Sequence, residues 1–425
     1  MSQSALPALS PLFTGRWEAV VAELSRTIDL EATARQHKAI QRVKKLRSAE
    51  DLLRLAMIWG PGRQSYRETA ALAAHGKIVD MSDKGIVGRM RKAGDWLAHI
   101  LANLLAARTN RPRADALDVS VIDGSVICSP GKGEDWRLHA RYDAGQGRFS
   151  DLVLTTTRQA ECASRTPAQA RQITIMDRGY ARVRSFQAVL REGGDFIART
   201  GWRQLAFYDA KKQRIDLMAL LRQRRLRAGR FAEHAVWVQG IERPLRLIIQ
   251  PLPPEIAARQ RVRRARTANK KSQKLDPRTA EAAGFLILVT SLPRRGHSTR
   301  QVLDRYPDRW QVEIGFKRFK TLAGIDELPA FDPALARTWL LAHLIATVLI
   351  DDLVNEIVAF PPEPDAPPLP PLSNWRVWAK ARDILLSAIL PVLLLTTAQD
   401  MWRLRRALAE APRRRGLRNW ELRPP

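Results

Sequence analysis

Cysteine is scarce in this chain. Cys128 and Cys162 are the only two in 425 residues, which excludes a disulfide framework and a cysteine zinc site and fits a reducing, cytoplasmic setting. The seven histidines are scattered, none in a His-x3-His or comparable spacing, so zinc chemistry is unsupported. Long hydrophobic runs are also missing. Trp339–Ile350 and Ile384–Leu395 are the most apolar stretches, and both fall short of the roughly 20 apolar residues that a spanning helix needs. They read as buried helices, and no membrane partner is expected. The opening MSQSALPALSPLFTGRW lacks a basic segment followed by an apolar core and does not read as a secretory signal. Acid is in deficit: 43 Asp plus Glu stand against 71 Lys plus Arg, a formal charge of +28. Such an excess suits a polyanionic partner, although charge alone does not separate nucleic acid from an anionic membrane surface.

The length suggests two or three domains. Residues 1–110 carry apolar positions at helical spacing and read as an all-helical domain. Ser65-Tyr66-Arg67-Glu68 has the form of a capping box, with Ala70, Leu72 and Ala73 on the buried side and Gly76 as the stop. A second start follows at Ser82-Asp83, with Ile86, Val87 and Met90 inward and Lys84, Arg89, Arg91 and Lys92 outward. Segment 65–92 therefore resembles a helix-turn-helix with Arg89, Arg91 and Lys92 as DNA contacts; a plain helical hairpin with a solvated basic face fits the same pattern.

From Arg111-Pro112 the pattern changes. Val119–Asp123 reads as a strand ending in a carboxylate, Trp136–Tyr142 and Phe149–Thr155 as two antiparallel strands, and Gln172–Met176 as a buried strand ending at Asp177. Arg178-Gly179-Tyr180 turns into a helix through about Arg191, and Phe196–Arg199 is the next strand. Residues 111–199 and 296–330 form the expected α/β core. Between them, 200–295 carries short strand candidates at Ala235–Val238, Leu245–Ile249 and Phe285–Thr290 and reads as a mainly β insertion. Within it the acid-free stretch from Arg259 to Lys274, including Arg263, Arg264, Lys270 and Lys271, is a candidate phosphate-contacting loop or helix, or a solvated charge run. Trp202 and Phe285 are its candidates for base stacking. Residues 331–425 form a helical region: an apolar helix over Leu335–Phe360, a proline-rich connector Pro361–Pro371, and a helix from about Trp375 toward Arg413-Arg414-Arg415.

Asp123 and Asp177 each end an apolar strand and are followed by glycine or Arg-Gly, so both can reach a shared sheet edge, where α/β sites form. Glu313 lies on a predicted helix within Asp304–Lys320. Three such carboxylates could hold two hard divalent cations for phosphoryl displacement. Taken singly, each has a structural explanation as a turn former, a helix cap or a solvated charge. The helix is more informative, because Tyr306, Arg309, Glu313 and Lys320 fall within roughly 60° of one face. A hydroxyl, two cations and a carboxylate on one side suit a DNA strand held beside a metal site.

At these residues the sequence resembles the DDE transposases of insertion-sequence family four. That family carries Tyr-x2-Arg-x3-Glu-x6-Lys, met here by Tyr306, Arg309, Glu313 and Lys320 within YPDRWQVEIGFKRFK. VIDGS around Asp123 and MDRGY around Asp177 are similar to the strand and turn that bear its first two acids. The resemblance covers most of 60–330. It implies a ribonuclease-H-like mixed-sheet core with a mainly β insertion, flanked by helical regions. It also implies catalytic and metal-binding roles for Asp123, Asp177 and Glu313, with two magnesium ions, manganese being able to substitute. DNA contacts are implied for Tyr306, Arg309 and Lys320, to which Lys317 is added. The expected partners are double-stranded DNA, as terminal inverted repeats and target, and a second copy of the chain in the synaptic complex. A ribonuclease-H-like nuclease without strand transfer, or a catalytically silent DNA-binding protein, stands as the alternative.

Overall fold

The computed structural model describes residues 9–41, 45–109, 118–131, 135–223, 226, 230–270, 272–325, 328–329, 332–361 and 372–391. Lys271, the proline-rich segment beyond Pro361 and Arg413-Arg414-Arg415 lie outside them. The chain divides into two compact units, one made of residues 1–108, 129–133 and 319–425, the other of 109–128 and 134–318. The N-terminal and C-terminal helices thus belong to one unit rather than to two separate regions.

In the helical unit, α1 is Trp17–Ser25, α2 Leu30–Gln36, α3 Ala49–Trp59, α4 Tyr66–His75 and α5 Asp83–Thr109. The Ser65–Glu68 capping box forms as expected, and Gly76 caps the end of α4. The side that packs differs by one position: Thr69, Ala71 and Ala73 are buried, while Ala70 and Leu72 are half-buried. The second short helix of the expected motif is in fact the start of α5, 27 residues long. It continues because Ile86, Met90, Ala93, Trp96, Leu97 and Ile100 keep one face apolar and buried for turn after turn. At Met90 this face meets α12, Pro333–Ala359, capped by Asp332: Thr338 Oγ1 donates to the Met90 carbonyl at 2.7 Å, and Trp96 donates to Thr33 of α2. Helix α12 is long and apolar enough to cross a membrane, but 83% of its most apolar window is buried inside the protein. The last described helix, α13, is Asn374–Ile389, and its buried Trp378 donates to Asp351 of α12.

The second unit is built on one eight-stranded sheet of order β3-β2-β1-β4-β5-β8-β7-β6. Its strands are β1 Val119–Ile127, β2 Trp136–Asp143, β3 Arg148–Thr156, β4 Ile173–Met176, β5 Asp195–Arg199, β6 Ala232–Val236, β7 Leu245–Pro251 and β8 Phe285–Thr290. Strands β1 to β3 form an antiparallel meander, and β4 and β5 run parallel to β1, the mixed sheet of a ribonuclease-H-like core. Helix α6, Val183–Arg191, returns the chain between the two parallel strands, its Phe186 stacked on Phe196 of β5 at 4.2 Å. The strands of segment 200–295 do not make a sheet of their own. They extend the core sheet through an antiparallel β5–β8 pairing, which satisfies an edge that would otherwise present unpaired backbone groups. Among its described residues the segment also contains the helices α7 Leu217–Leu221, α8 Pro254–Lys270 and α9 Pro277–Ala282. The basic run is therefore helical from Arg259 to Lys270, within α8, along which only Ala257 is buried, whereas Lys274 lies beyond the helix. Phe285 and Trp202 pack against the hydrophobic core. The guanidiniums of Arg203 and Arg278 also lie over the Trp202 ring, at 4.3 and 4.9 Å from its centroid.

Candidate active site

The parallel pairing of β1 with β4 matches Val119 to Ile173 and Ile122 to Met176. One further step sets Asp123 beside Asp177. Side chains alternate along a strand, so both acids share the face of Val121 and Ile175 at the C-terminal edge of the parallel strands. Strand β1 does not end at Asp123 as expected. It runs on to Ile127 because β2 continues to pair with it, Asp123 opposite Ala140 and Ile127 opposite Trp136.

Each acid is fixed by its own local turn. Asp123 Oδ1 accepts from the Gly124 amide at 2.8 Å, and Asp177 Oδ1 from the Gly179 amide at 2.7 Å. Both glycines also lie against a neighbour that sequence reasoning missed. A Cβ on Gly179 would collide with Glu161 Oε2, and one on Gly124 would lie 3.2 Å from Glu161 Oε1 and 3.2 Å from the Tyr180 hydroxyl. Glu161 is thus a fourth carboxylate at this edge. Burial raises its pKa, and the Arg137 guanidinium, 3.9 Å away, works against the shift. The only sequence signal for it was the pair of glycines. Tyr180 is fully buried, its hydroxyl 3.2 Å from His139 Nδ1, and its pKa is raised by burial and then by Glu161, Asp123 and Asp177.

The segment carrying Glu313 departs from a single helix. Thr299–Arg305 is α10, Tyr306–Arg309 tightens to a 3₁₀ turn with Pro307 inside it, and Trp310–Thr321 is α11. Proline has no amide hydrogen to continue α10, so the chain tightens at this point. The expected stripe is accordingly uneven. Tyr306 is buried, and the Arg309 side chain is 15% exposed and ion-paired to Glu313. Lys317 is exposed and Lys320 half-buried further along α11. Close packing holds α11 in place: Gly315 lies against the ring of Phe149, where a Cβ would be 2.6 Å from it, and Phe316 contacts the same ring.

Electrostatically these groups form one site. Asp123 is pushed up to about 7, first by burial and then by Asp177, with Arg309 opposing and Glu313 adding to the shift. Burial pulls Arg309 down, but its hydrogen bond to Glu313 and the charges of Tyr306, Glu313 and Asp123 outweigh it. Among the described residues no three acid, histidine or cysteine side chains stand in ready ligand geometry for one ion, since Glu313 is turned to Arg309. The donor chemistry nevertheless fits a hard divalent cation: the groups are carboxylate oxygens whose mutual repulsion a cation would relieve. Of the remaining expected contacts, Arg91 is 2.8 Å from Asp332, Arg89 is half-buried, Lys92 is exposed, and Arg263, Arg264 and Lys270 lie on α8.

Residues 116–349 match the transposase DDE domain. The chain belongs to the DDE transposase family. It is 36% identical to the InsL protein of insertion sequence element IS186A of Escherichia coli K12, over 81% of this chain and 96% of that protein. The transposase of insertion sequence element IS421 of Escherichia coli is likewise 36% identical, with the same coverage. The transposase of IS231E from Bacillus thuringiensis subsp. finitimus is 24% identical over 70% of this chain and 71% of its own length. The protein is therefore an enzyme of DNA transposition that binds DNA, in a family that uses divalent metal ions.

Proposed function

We propose that this transposase cuts the terminal inverted repeats of its element and joins them to target DNA with Asp123, Asp177 and Glu313 as its catalytic carboxylates. The observation that carries the assignment is the register that puts Asp123 and Asp177 side by side, with the charge of Glu313 felt at Asp123. These carboxylates would hold two magnesium ions, or manganese in their place. Bound there, the metal supplies activation of the attacking oxygen and stabilisation of the leaving one. Asp123 and Asp177, locked by the Gly124 and Gly179 amides, orient that centre. Arg309 is ion-paired to Glu313 in the free protein; with DNA bound, it and Lys320 position backbone phosphates, and Tyr306 and Lys317 orient the strand. Water opens the phosphodiester, and the freed 3′ hydroxyl attacks the target without a covalent enzyme intermediate. Arg89, Arg91 and Lys92 on α5, Arg263, Arg264 and Lys270 on α8, and Lys271, which follows in the sequence, add affinity. Joining two ends requires two copies of the chain in the synaptic complex.

The test is incubation of the full-length protein with a duplex carrying the repeat that flanks its own gene, with magnesium and a target plasmid. The expected products are a free 3′ hydroxyl at the element end and a joined molecule, both absent with Asp177→Asn. Cleavage without joining would favour a nuclease, and tight binding without cleavage a silent DNA-binding protein.

A further inference from the structure

Glu161 stands at the carboxylate edge but has no part in the assigned triad. Its Oε1 lies 3.2 Å from the point that a Cβ on Gly124 would take, and its Oε2 occupies the place of a Cβ on Gly179. Asp177 Oδ1 is 3.2 Å from that second point. One carboxylate therefore spans the turns that follow Asp123 and Asp177, and a side chain on either glycine would fill the space it uses. Among the described residues neither of its oxygens accepts a hydrogen bond. The Arg137 guanidinium facing it stays 3.9 Å away, with its Nε unbonded.

The Tyr180 hydroxyl, 1% exposed as a residue, does not supply the missing donor. Thr155 Oγ1 donates to the Thr156 carbonyl at 3.2 Å and so accepts from His139 Nε2 at 2.9 Å. His139 Nδ1 is then bare, and the Tyr180 hydroxyl donates to it at 3.2 Å. What Tyr180 offers the point beside Gly124, 3.2 Å from its oxygen, is a lone pair. The Glu161 carboxylate is thus flanked by two further acceptors, the Tyr180 oxygen and Asp177 Oδ1. Acceptors left without donors are costly when buried. A hydrated divalent cation answers both needs, with charge for the carboxylates and hydrogens from its waters for the phenol oxygen.

We propose that Glu161 is a fourth metal ligand of this edge, and that with Asp177 it takes the first divalent ion before DNA is bound. This rests on the proposed metal site for its ion and adds an order of loading. Glu313 is held by Arg309 in the free protein, so it enters only with DNA. Asp177 spends one oxygen on the Gly179 amide and keeps the other for the ion, and Glu161, held by no hydrogen bond, is free to swing toward it. Two carboxylates and several retained waters are an ordinary coordination for magnesium.

The test is calorimetric titration of magnesium into the full-length protein without DNA. Glu161→Gln and Asp177→Asn should each weaken binding at least about tenfold, the cost of losing even a residue that only supports a metal ligand, whereas Glu313→Gln should shift it less than about twofold. Glu161→Asp, which keeps the charge on a shorter stem, should bind between Glu161→Gln and the wild type, and melting temperatures check that each variant folds. No binding by the wild type, wild-type affinity in Glu161→Gln or Glu161→Asp weaker than Glu161→Gln would overturn the ligand. An equal loss in Glu313→Gln would overturn the order of loading. A second arm follows single-turnover cleavage of a repeat end against magnesium concentration. Glu161→Gln should raise the magnesium needed for the half-maximal rate and recover most of the wild-type rate at saturation. A lower saturated rate with unchanged magnesium dependence would make Glu161 a packing residue. Failure of the wild type to cut any repeat end, with the titrations as expected, would instead overturn the proposed function and leave the loading site standing.

Discussion

Two arginines of the same sheet, Arg141 buried and Arg178 half-buried, illustrate opposite uses of charge. Arg141 on β2 is 3% exposed and fully engaged: Nε and Nη2 donate to the Thr166 carbonyl, and Nη1 donates to Ser120 Oγ, Gln172 Oε1 and Thr174 Oγ1 at 2.5 to 3.1 Å. Arg178, beyond the end of β4, leaves its Nε unpaired. Burial pulls its pKa down to about 10, with Arg199 and Arg264 adding to the shift. The first arginine ties β1, β2 and β4 to the loop at Thr166. The second is under-satisfied in the free protein, the condition expected of a group that waits for a ligand.

The largest effects should come from the carboxylates, which share that under-satisfied edge. Asp123→Asn, Asp177→Asn and Glu313→Gln should each lower metal-dependent cleavage by on the order of 10³-fold or more, since metal-held charge stabilisation is worth several kcal/mol. Binding to the repeat should remain measurable by gel shift. A variant cutting at the wild-type rate would remove that acid from the site.

Arg141→Leu, by contrast, should act on stability. It strands several buried acceptors and should cost about 3 kcal/mol in urea unfolding, whereas Arg199→Gln should change stability by less than about 1 kcal/mol or raise it. Equal losses in the two would erase the contrast between a structural and a functional guanidinium.

Arg309 stands between these extremes, paired in the free protein yet placed to meet a phosphate. Arg309→Ala and Lys320→Ala should slow single-turnover cleavage about 10²-fold with little effect on binding, because a misplaced scissile group costs about that much. Arg309→Lys should recover only part of the rate, as an ammonium lacks the guanidinium fork. Near-normal rates with normal melting would make this segment a surface feature.

The raised pKa of Asp123 gives a smaller signature, read without metal. A carboxyl with a folded pKa near 7 binds its proton more tightly folded than unfolded. Its contribution is therefore fully present below the ordinary carboxylate pKa of about 4 and is lost as pH rises through about 7. The melting temperature of metal-free protein should fall over that window, and less so in Asp123→Asn; identical profiles would show that the edge is better compensated than its charges imply. Smallest of all, neutralising Arg89, Arg91 and Lys92 together should flatten the salt dependence of DNA binding by up to about one slope unit per lost phosphate contact. Arg91 should contribute least, since it already pairs with Asp332.

The elements that carry the acids were legible in the sequence because their signals are local. The strand starting at Val119, the β2–β3 hairpin, the strand before Asp177 and the Ser65 capping box depend on near-neighbour periodicity and turn chemistry, and they stand where the pattern put them. Spacing alone also put Arg309 on the same side as Glu313, with which it forms an ion pair. What the sequence could not give were relations set by pairing between distant segments. The match of β4 with both β1 and β5 decides that Asp123, Asp177 and Arg199 form one row. The approach of Glu161 to Gly124 and Gly179, from a segment remote from Asp123 in the chain, also has no local signal. The long α5 and the joining of β6–β8 to the core sheet likewise follow from burial against partners far along the chain. Local propensity is written residue by residue, but the neighbour across a sheet or beneath a helix is chosen by the packing of the whole unit, and it is there that the charges of this site were brought together.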